Sequence, residues 1–496
     1  MVRDMTEGHP LRRILAFSAP LLLGNLFQQF YSMADSIIVG QYIGVNAFAA
    51  VGSTGSINFL ILGFVQGACM GFAIPVAQEF GAGDMRAMRR CVANAAYLSV
   101  LVAIVVTALT ALFTRDILRW MQTPEDIFED AYSYIFIVFA GTGATVLYNL
   151  LASVLRALGD SRTPLIYLII ASIINIALDV VFIAVIPLGV AGAAYATVAS
   201  QLVSGLLCLF HIKNKFLILH IEKQERRFDK SLCLRLLHAG VPMGLQFSIT
   251  AIGSIILQSA VNALGSSVVA SISASNRVQN ILTCPLETMG ATMATYCSQN
   301  YGANRIERVR QGIRQATIVT AIYSAAGLAI AYFCGRTIAQ MFISAEETAL
   351  LDSIRQFLTI NGMFYFPLAI ILVYRNSLQG LGFSNSAMLA GVFELVARSA
   401  VAWALVGTFG FIAVCFANPA AWIAADCLLL PMYAKKIRVL SRWQAARERL
   451  EAMQTEYEVS GRWARRPGAS GWTAISPRAL AAFPLARCKN SFAWGK

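Results

Sequence analysis

The 496-residue chain is poor in charge. Asp, Glu, Lys and Arg make up 13% of it, whereas hydrophobic residues make up 57%. Soluble domains carry about 25% charged residues, so this chain has too little polar surface for a soluble protein. Its mean hydropathy is +0.63, and its apolar residues come in repeated blocks of about 20 to 30, long enough to cross a membrane. The repetition excludes a single signal peptide on a soluble enzyme.

Several chemical signatures are also missing. The sequence contains no GxxxxGK[ST] loop, which excludes the simplest ATP-driven pump on this chain. Its ten cysteines form no CxxC pair and its four histidines do not cluster, which argues against a zinc site. No Ser/His/Asp or Cys/His constellation stands out in the polar loops, so neither an enzyme nor an organic cofactor is predicted. Active transport by this chain would therefore depend on an ion gradient or a partner.

The net charge of +13 is concentrated at the C-terminal end. From Lys435 to Lys496 there are 13 basic and 4 acidic residues, a net of 13 − 4 = +9. A basic segment next to a membrane fixes topology and contacts anionic lipid. We therefore predict contact with membrane lipid and no nucleic-acid partner.

Twelve apolar blocks follow one another along the chain. They cover residues 12–40, 46–78, 91–113, 131–156, 163–186, 189–212, 236–263, 267–298, 313–335, 355–380, 386–408 and 411–434. Alternate connections hold most of the basic residues, among them Arg89, Arg156, Arg162 and Arg308, and both termini belong to that side. Because Lys and Arg mark cytoplasmic loops, the bias predicts that both termini are cytoplasmic.

An internal repeat divides these blocks into two sets of six. QEFGAGDMRAMRR at 78–90 matches QNYGANRIERVRQ at 299–311, at an offset of 221 residues. Pro20 matches Pro242, and Leu158-Gly159 matches Leu381-Gly382, at nearly the same offset. Six spans per half is an even number, so both halves enter the membrane from the same side. This predicts a parallel repeat with a pseudo-two-fold axis along the membrane normal.

The repeat suggests a division of the chain into four segments. These are a first six-helix lobe at 1–212, a cytoplasmic linker at 213–235, a second six-helix lobe at 236–436 and a basic cytoplasmic tail at 437–496. The tail starts as a helix from Arg442 to Glu458 and then loses all periodicity, which is typical of disorder.

Ionisable residues inside apolar blocks are costly and usually functional. Asp35 lies in the first block, with Tyr31 one turn earlier, and Asp179 lies in the fifth. Asn175 is four residues before Asp179, on the same helical face, and the sixth block carries Thr197. Their oxygens suit sodium, and two nearby desolvated carboxylates could instead share a proton. The residue types do not distinguish between the two ions. The alternative to an ion site is that Asp35 and Asp179 are unrelated residues with separate polar contacts.

The second half does not repeat this pattern. Its blocks contain Glu287, Asp426 and a Glu394–Arg398 pair at i,i+4 spacing, which predicts a structural ion pair. Glu287 follows Pro285 and could face a cavity.

The chain resembles the multidrug and toxic compound extrusion (MATE) family over residues 10–436. The resemblance rests on the Pro20 to Asp35 spacing, and on QEFGAGD, LRALGDSRTP, NIALD, GAAYATVASQ, QNYGANR and NPAAWIAAD in that order. It implies an all-α integral membrane protein with twelve transmembrane helices in two six-helix lobes around a central cavity.

The resemblance also implies a function and a site. Such transporters exchange protons or sodium for amphipathic, often cationic compounds. The ion site of the family corresponds to Asp35, Asn175, Asp179 and Thr197, with Tyr31 and Asn149 nearby. The seventh block departs from members that carry an acid there, since it has Gln246 and Gln258 instead; with Glu287 these mark a candidate second-lobe cavity.

The predicted protein is thus a monomeric antiporter of the cytoplasmic (inner) membrane that exports small, mostly cationic amphipathic compounds. Buried acids in the first half favour cationic cargo. The alternative is a lipid-linked saccharide flippase of related fold, which would be expected to line its cavity with cationic groups.

Overall fold

The computed structural model describes residues 4–121, 123–340 and 347–460, without the side chains of 32–37, 40, 45, 46, 48, 184 and 454–460. Nearly all described residues are helical. The helices are α1 (Pro10–Tyr42), α2 (Val45–Gly81), α3 (Met85–Trp120), α4 (Glu125–Ala140), α5 (Thr142–Ala157), α6 (Arg162–Asp179), α7 (Val190–Lys215), α8 (Lys230–Asn262), α9 (Ser266–Gly302), α10 (Ile306–Ala339), α11 (Thr348–Met363), α12 (Tyr365–Gly380), α13 (Ser384–Ala404), α14 (Val406–Phe409) and α15 (Phe411–Ser460). A π-helical turn, Val180–Val185, extends α6, and a 3₁₀ turn, Leu217–Leu219, follows α7.

The chain divides into two compact units, Met1–Ser441 and Arg442–Lys496. The cavities and polar clusters of interest all lie in the first unit. Of the tail, the helix predicted from Arg442 to Glu458 is present as the end of α15. Residues 461–496 lie outside the described part of the chain.

Eight of the described helices are long and apolar enough to cross a membrane. Two bent pairs raise the number to ten: α4 and α5 meet at 47°, and α11 and α12 at 51°. The blocks at 131–156 and 355–380, each predicted as one span, are therefore two helices joined at a bend. With α1 and α9, which are 33 and 37 residues long, the elements number the twelve predicted spans.

The outer surface of the bundle is apolar. Large side chains of α3 and α10 are strongly exposed, for example Leu112 at 73% and Phe333 at 76%. Patches of this kind on a soluble protein would drive association, whereas lipid tails solvate them at no cost. The predicted multi-pass membrane protein is confirmed.

The two halves contact each other through glycines on α2 and α8. A Cβ placed on Gly71 would lie 2.5 Å from Cα of Gly240, and one on Gly67 would lie 2.9 Å from Cα of Gly244. No larger residue fits at these points without moving a backbone, so the glycines allow the helices to cross closely.

Polar contacts join α1 and α9 across the same boundary. Ser18 Oγ donates a hydrogen bond to Thr292 Oγ1 at 3.0 Å, and Asn25 Nδ2 donates to Thr288 Oγ1 at 3.0 Å. These polar residues explain why α1 and α9 are less apolar than the lipid-facing spans.

The repeated motifs meet at the end of the bundle that carries the Arg-rich connections. Gln78 Nε2 donates to the backbone oxygen of Gly380 at 2.9 Å, and Gln299 Nε2 donates to that of Ala157 at 2.7 Å. A Cβ on Gly81 would lie 2.0 Å from the backbone oxygen of Gln299. Each motif thus bonds the helix end of the opposite half, and together they join the two halves at this end.

The segment before α1 and the inter-half linker both dock at this end. The backbone N–H of Met5 donates to Gln299 Oε1 at 2.9 Å, and Met5 is 1% exposed. In the linker, Arg89 of α3 and Glu225 form an ion pair at 2.7 Å. The hydrogen bond from Arg89 lowers the pKa of Glu225, so this carboxylate stays ionised at neutral pH.

Candidate functional site

Two polar side chains are completely buried at the C-terminal end of α6. Asn175 and Asp179 are both 0% exposed. Asp179 is the last α-helical residue, and the π-helical turn begins directly after it. Such turns are rare and frequently mark functional sites. The i,i+4 spacing places both side chains on one face, as predicted.

The amide of Asn175 has an unusual environment. Neither its Oδ1 nor its Nδ2 has a hydrogen-bond partner among the described residues. A buried amide without partners costs about 1–3 kcal/mol, and nearly all buried polar groups in folded proteins avoid that cost. The amide is therefore available to a ligand or an ordered water.

The predicted ion site is only partly described. Asp35 lies in α1, but its side chain is among those outside the described part, and so is any distance from Asp35 to Asp179. Tyr31 lies one turn earlier on α1 and is half-buried. The prediction that Asp35 and Asp179 meet stays a prediction.

A polar cavity lies inside the first half of the bundle, with a volume of about 240 Å³. Helices α1, α2, α4, α5, α6 and α7 all contribute to its wall. Thr197 and Asn149 both line it, so the structure brings these two predicted residues together. Asn175 and Asp179 are not among its described lining residues. The cavity wall is rich in amides and hydroxyls: Asn25, Gln28, Asn58, Gln66, Thr145, Asn149, Ser161, Thr197 and Gln201.

The bend between α4 and α5 shapes this wall. Gly141 lies at the bend, and a Cβ there would lie 2.3 Å from Cγ2 of Val198 on α7. Since Val198 is adjacent to Thr197, this close approach sets α7 against the start of α5. Asn149 then lies two turns farther along α5, where its Nδ2 donates to the backbone oxygen of Thr145 at 2.9 Å.

Arg156 belongs to the site, although the charge pattern treats it as a loop cation. The pattern counts it with a cytoplasmic connection at the end of the block 131–156, and the structure places it in the last turn of α5, where its side chain lines the first-lobe cavity. It also lines a smaller cleft of about 40 Å³ between the halves, together with Met243 and Ser298. The positive-inside rule counts charges near helix ends without regard to the direction of the side chain, so it could not distinguish this arginine from its loop neighbours.

The candidate residues of the second half lie apart. Gln246 is buried and accepts a hydrogen bond from Gln379 Nε2 at 2.5 Å. Gln258 donates to Asn262 Oδ1 at 2.8 Å, near the other end of α8. At a rise of about 1.5 Å per residue, roughly 18 Å separates Gln246 from Gln258. Glu287 is exposed in the middle of α9, on the helix that contacts α1 and α2 of the first half.

The predicted ion pair between Glu394 and Arg398 is wrong. Glu394 pairs with Arg375 of α12 at 2.7 Å, and no described ion pair joins it to Arg398. Asp426 of α15 is 8% exposed, and its Oδ1 has no hydrogen-bond partner among the described residues. The i,i+4 spacing favoured Arg398 as the partner of Glu394. The signal for the true partner was Arg375, an arginine inside the apolar block at 355–380 that needs a counter-charge from another helix.

Among the described residues, no group of three His, Cys, Asp or Glu side chains could hold a metal ion. Oxygen donors of another kind are present among the described residues, in the amide of Asn175 and the hydroxyl of Thr197. These are the hard donors that sodium accepts.

A polytopic helical bundle with a polar cavity inside one half is an architecture that membrane transporters share. The sequence model of the MatE family matches residues 20–181 and 242–404. The chain belongs to the MATE family of multidrug transporters. The two matched stretches start at Pro20 and Pro242, which confirms the internal repeat.

Individual relatives agree with this assignment. The chain is 31% identical to the probable multidrug resistance protein YoeA of Bacillus subtilis (strain 168), over 68% of this chain and 74% of that protein. It is 23% identical to a protein named FAD transporter of Shewanella oneidensis, over 78% of this chain and 86% of that protein.

A solved structure described as the outward-facing conformation of a multidrug resistance MATE family transporter superposes with a TM-score of 0.82. It is 22% identical and covers 88% of this chain and 98% of that one. The fold is thus the predicted one, twelve transmembrane helices in two lobes of six. The relatives do not support the flippase alternative.

Proposed function

We propose that the protein is a secondary active antiporter that exports small amphipathic compounds in exchange for protons or sodium ions. The observation that carries this proposal is the fully buried Asn175–Asp179 pair at the end of α6. A carboxylate and an amide that has no partner among the described residues are expensive to retain in an apolar helix without a function.

Asp179 would take the coupling ion. If the ion is a proton, it neutralises the carboxylate; if it is sodium, Asn175 Oδ1 and the hydroxyl of Thr197 complete an oxygen shell with Asp35. Both routes offset the negative charge of the buried carboxylate. This changes the relative stability of the states in which the cavity opens to either membrane face. Exchange requires that the ion favour the state that binds cargo poorly.

The first-lobe cavity would hold the cargo. The acids that favour cationic cargo do not extend to the described cavity wall, which holds amides, hydroxyls and Arg156. The protein would work as a monomer, without a cofactor, in the cytoplasmic membrane with both termini inside.

Transport in proteoliposomes tests this function. Purified protein is given separate pH and sodium gradients and the dyes ethidium and carboxyfluorescein. We expect one of the two gradients to drive dye movement, and Asp179→Asn to slow it by at least about tenfold, equivalent to about 1.4 kcal/mol.

Asp426→Asn is the matched control, because it makes the same change in a buried acid of the second lobe. It should stay near the wild-type rate. Dye movement that depends on neither gradient would refute the antiporter.

A further inference from the structure

Arg156 lies between two cavities, in the last turn of α5. Its side chain lines both the first-lobe cavity of about 240 Å³ and the cleft of about 40 Å³ between the lobes. Its Nη2 donates to Ser153 Oγ, one turn earlier, at 2.9 Å. This bond orients the guanidinium but leaves most of its five N–H donors for other partners.

No described carboxylate pairs with Arg156. Two other arginines have an acid nearby, since Arg375 contacts Glu394 at 2.7 Å and the charge of Glu394 also acts on Arg398. Among the described residues, those that contribute to the electrostatic environment of Arg156 are Tyr148, Cys69 and Cys208, and none of these is an acid that is ionised at neutral pH. Arg156 is partly buried, and a partly buried cation with no counter-charge among the described residues is costly, so an anion from outside the chain would stabilise it.

The cavity wall around Arg156 suits an amphipathic ligand. Asn58 Oδ1 and Gln201 Oε1 line it and have no hydrogen-bond partner among the described residues. Apolar side chains alternate with these amides, among them Leu62, Val138 and Leu165. The described lining contains no Asp or Glu, so nothing in this part of the wall attracts a cation.

In the second lobe, the position that corresponds to Arg156 holds a neutral residue. At the offset of 223 residues that aligns Leu158 with Leu381, Arg156 aligns with Gln379. Gln379 occupies the same helix end in the second lobe and bonds Gln246. The same structural position is thus filled by a neutral amide in one lobe and by a cation in the other.

We propose that Arg156 binds the anionic group of an amphipathic compound, a carboxylate, sulfonate or phosphate, inside the first-lobe cavity. The amides of the wall bond the remaining polar atoms, and the apolar side chains contact the hydrophobic part. The assignment names the cargo chemistry of the exporter proposed above and rests on that function. A soluble amphipath and an anionic lipid headgroup share the chemistry that Arg156 recognises.

Equilibrium binding tests the site without any gradient. Carboxyfluorescein is titrated onto wild-type protein in phosphatidylcholine nanodiscs, and anisotropy reports its Kd. Arg156→Gln, which installs the residue of the second lobe, should weaken binding by at least about tenfold, or about 1.4 kcal/mol. Arg156→Lys should fall between the two, because lysine keeps the charge but lacks the planar fork. Ethidium binding should not weaken in either variant.

Arg162→Gln is the matched control, since it removes an exposed cation six residues away and should bind like the wild type. Equal affinity of the wild type and Arg156→Gln would overturn the proposal, and so would equal losses in Arg156→Gln and Arg162→Gln, or no binding by the wild type. A melting curve for each variant separates misfolding from a lost contact, and Arg156→Lys decides the case if Arg156→Gln does not fold.

Nanodiscs containing phosphatidylglycerol separate the two sources of the anion. Competition with carboxyfluorescein in the wild type assigns the site to a lipid headgroup, and absence of competition assigns it to a soluble amphipath. Asp179→Asn should keep its affinity for carboxyfluorescein. Binding that depends on Arg156 in a protein that no gradient drives would therefore remove the antiporter and leave the anion site.

Discussion

Burying the amide of Asn175 costs free energy, and no hydrogen bond from the described residues offsets that cost. Asn175 is 0% exposed, and both atoms of its amide lack a partner. Asn175 could be identified in the sequence because it lies in an apolar block, where a polar side chain is costly and usually functional. Arg156 could not be found in this way, since its position at a helix end fits a loop cation equally well.

Asn175→Leu separates a ligand from a structural residue. Removing an unsatisfied amide relieves a cost of about 1–3 kcal/mol, so the melting temperature in detergent should equal or exceed that of the wild type. Gradient-driven transport should nevertheless fall by at least about tenfold, or about 1.4 kcal/mol.

Asn361→Leu is the control for this change. Asn361 is equally buried, but its Nδ2 donates to the backbone oxygens of Phe357 at 3.0 Å and Cys415 at 3.2 Å. Its loss should lower the melting temperature. Full transport by Asn175→Leu would show that the amide has no part in coupling.

At the scale of helices, most elements can be predicted from the apolar blocks and from the polar segments that separate them. The bends within the fourth and tenth spans cannot, because neither Gly141 nor Phe364 interrupts an apolar run strongly enough to signal a break. Gly141 lies against Val198 of α7, a tertiary contact that a local pattern does not contain.

The crossing of α2 and α8 gives a prediction for Gly71→Ala. The new Cβ would lie 2.5 Å from Cα of Gly240 and 2.7 Å from the backbone oxygen of Ala239. Neither backbone atom can rotate away, so the helices must separate. We expect a loss of about 1–3 kcal/mol, typical of overpacking, measured as a lower melting temperature.

Gly55→Ala on the same helix is the matched control, because a Cβ at this position would have no atom within 4 Å. Alanine should there stabilise the helix slightly. Equal melting temperatures for Gly71→Ala and Gly55→Ala would contradict the close crossing.

At the scale of the whole molecule, the repeat explains how the two lobes are joined at one end. The matching motifs contain residues that are common at helix ends in general. Gln78 and Gln299, however, each donate a hydrogen bond to a backbone oxygen of the other lobe. Their positions could be predicted from the sequence, whereas their crosswise pairing depends on how the lobes meet. The lobes share this architecture and differ in buried chemistry, with Arg156 in one and Gln379 in the other.

Reversal of the exchange tests the central claim most directly. Proteoliposomes loaded with dye, and without any ion gradient at the start, are diluted so that only the dye gradient drives flux. An antiporter must then move protons or sodium against the direction of the dye, because the coupling is reciprocal. We predict this opposite ion flux in the wild type and in Asp426→Asn, and its loss in Asp179→Asn. Dye efflux through the wild type with no accompanying ion movement would contradict the account.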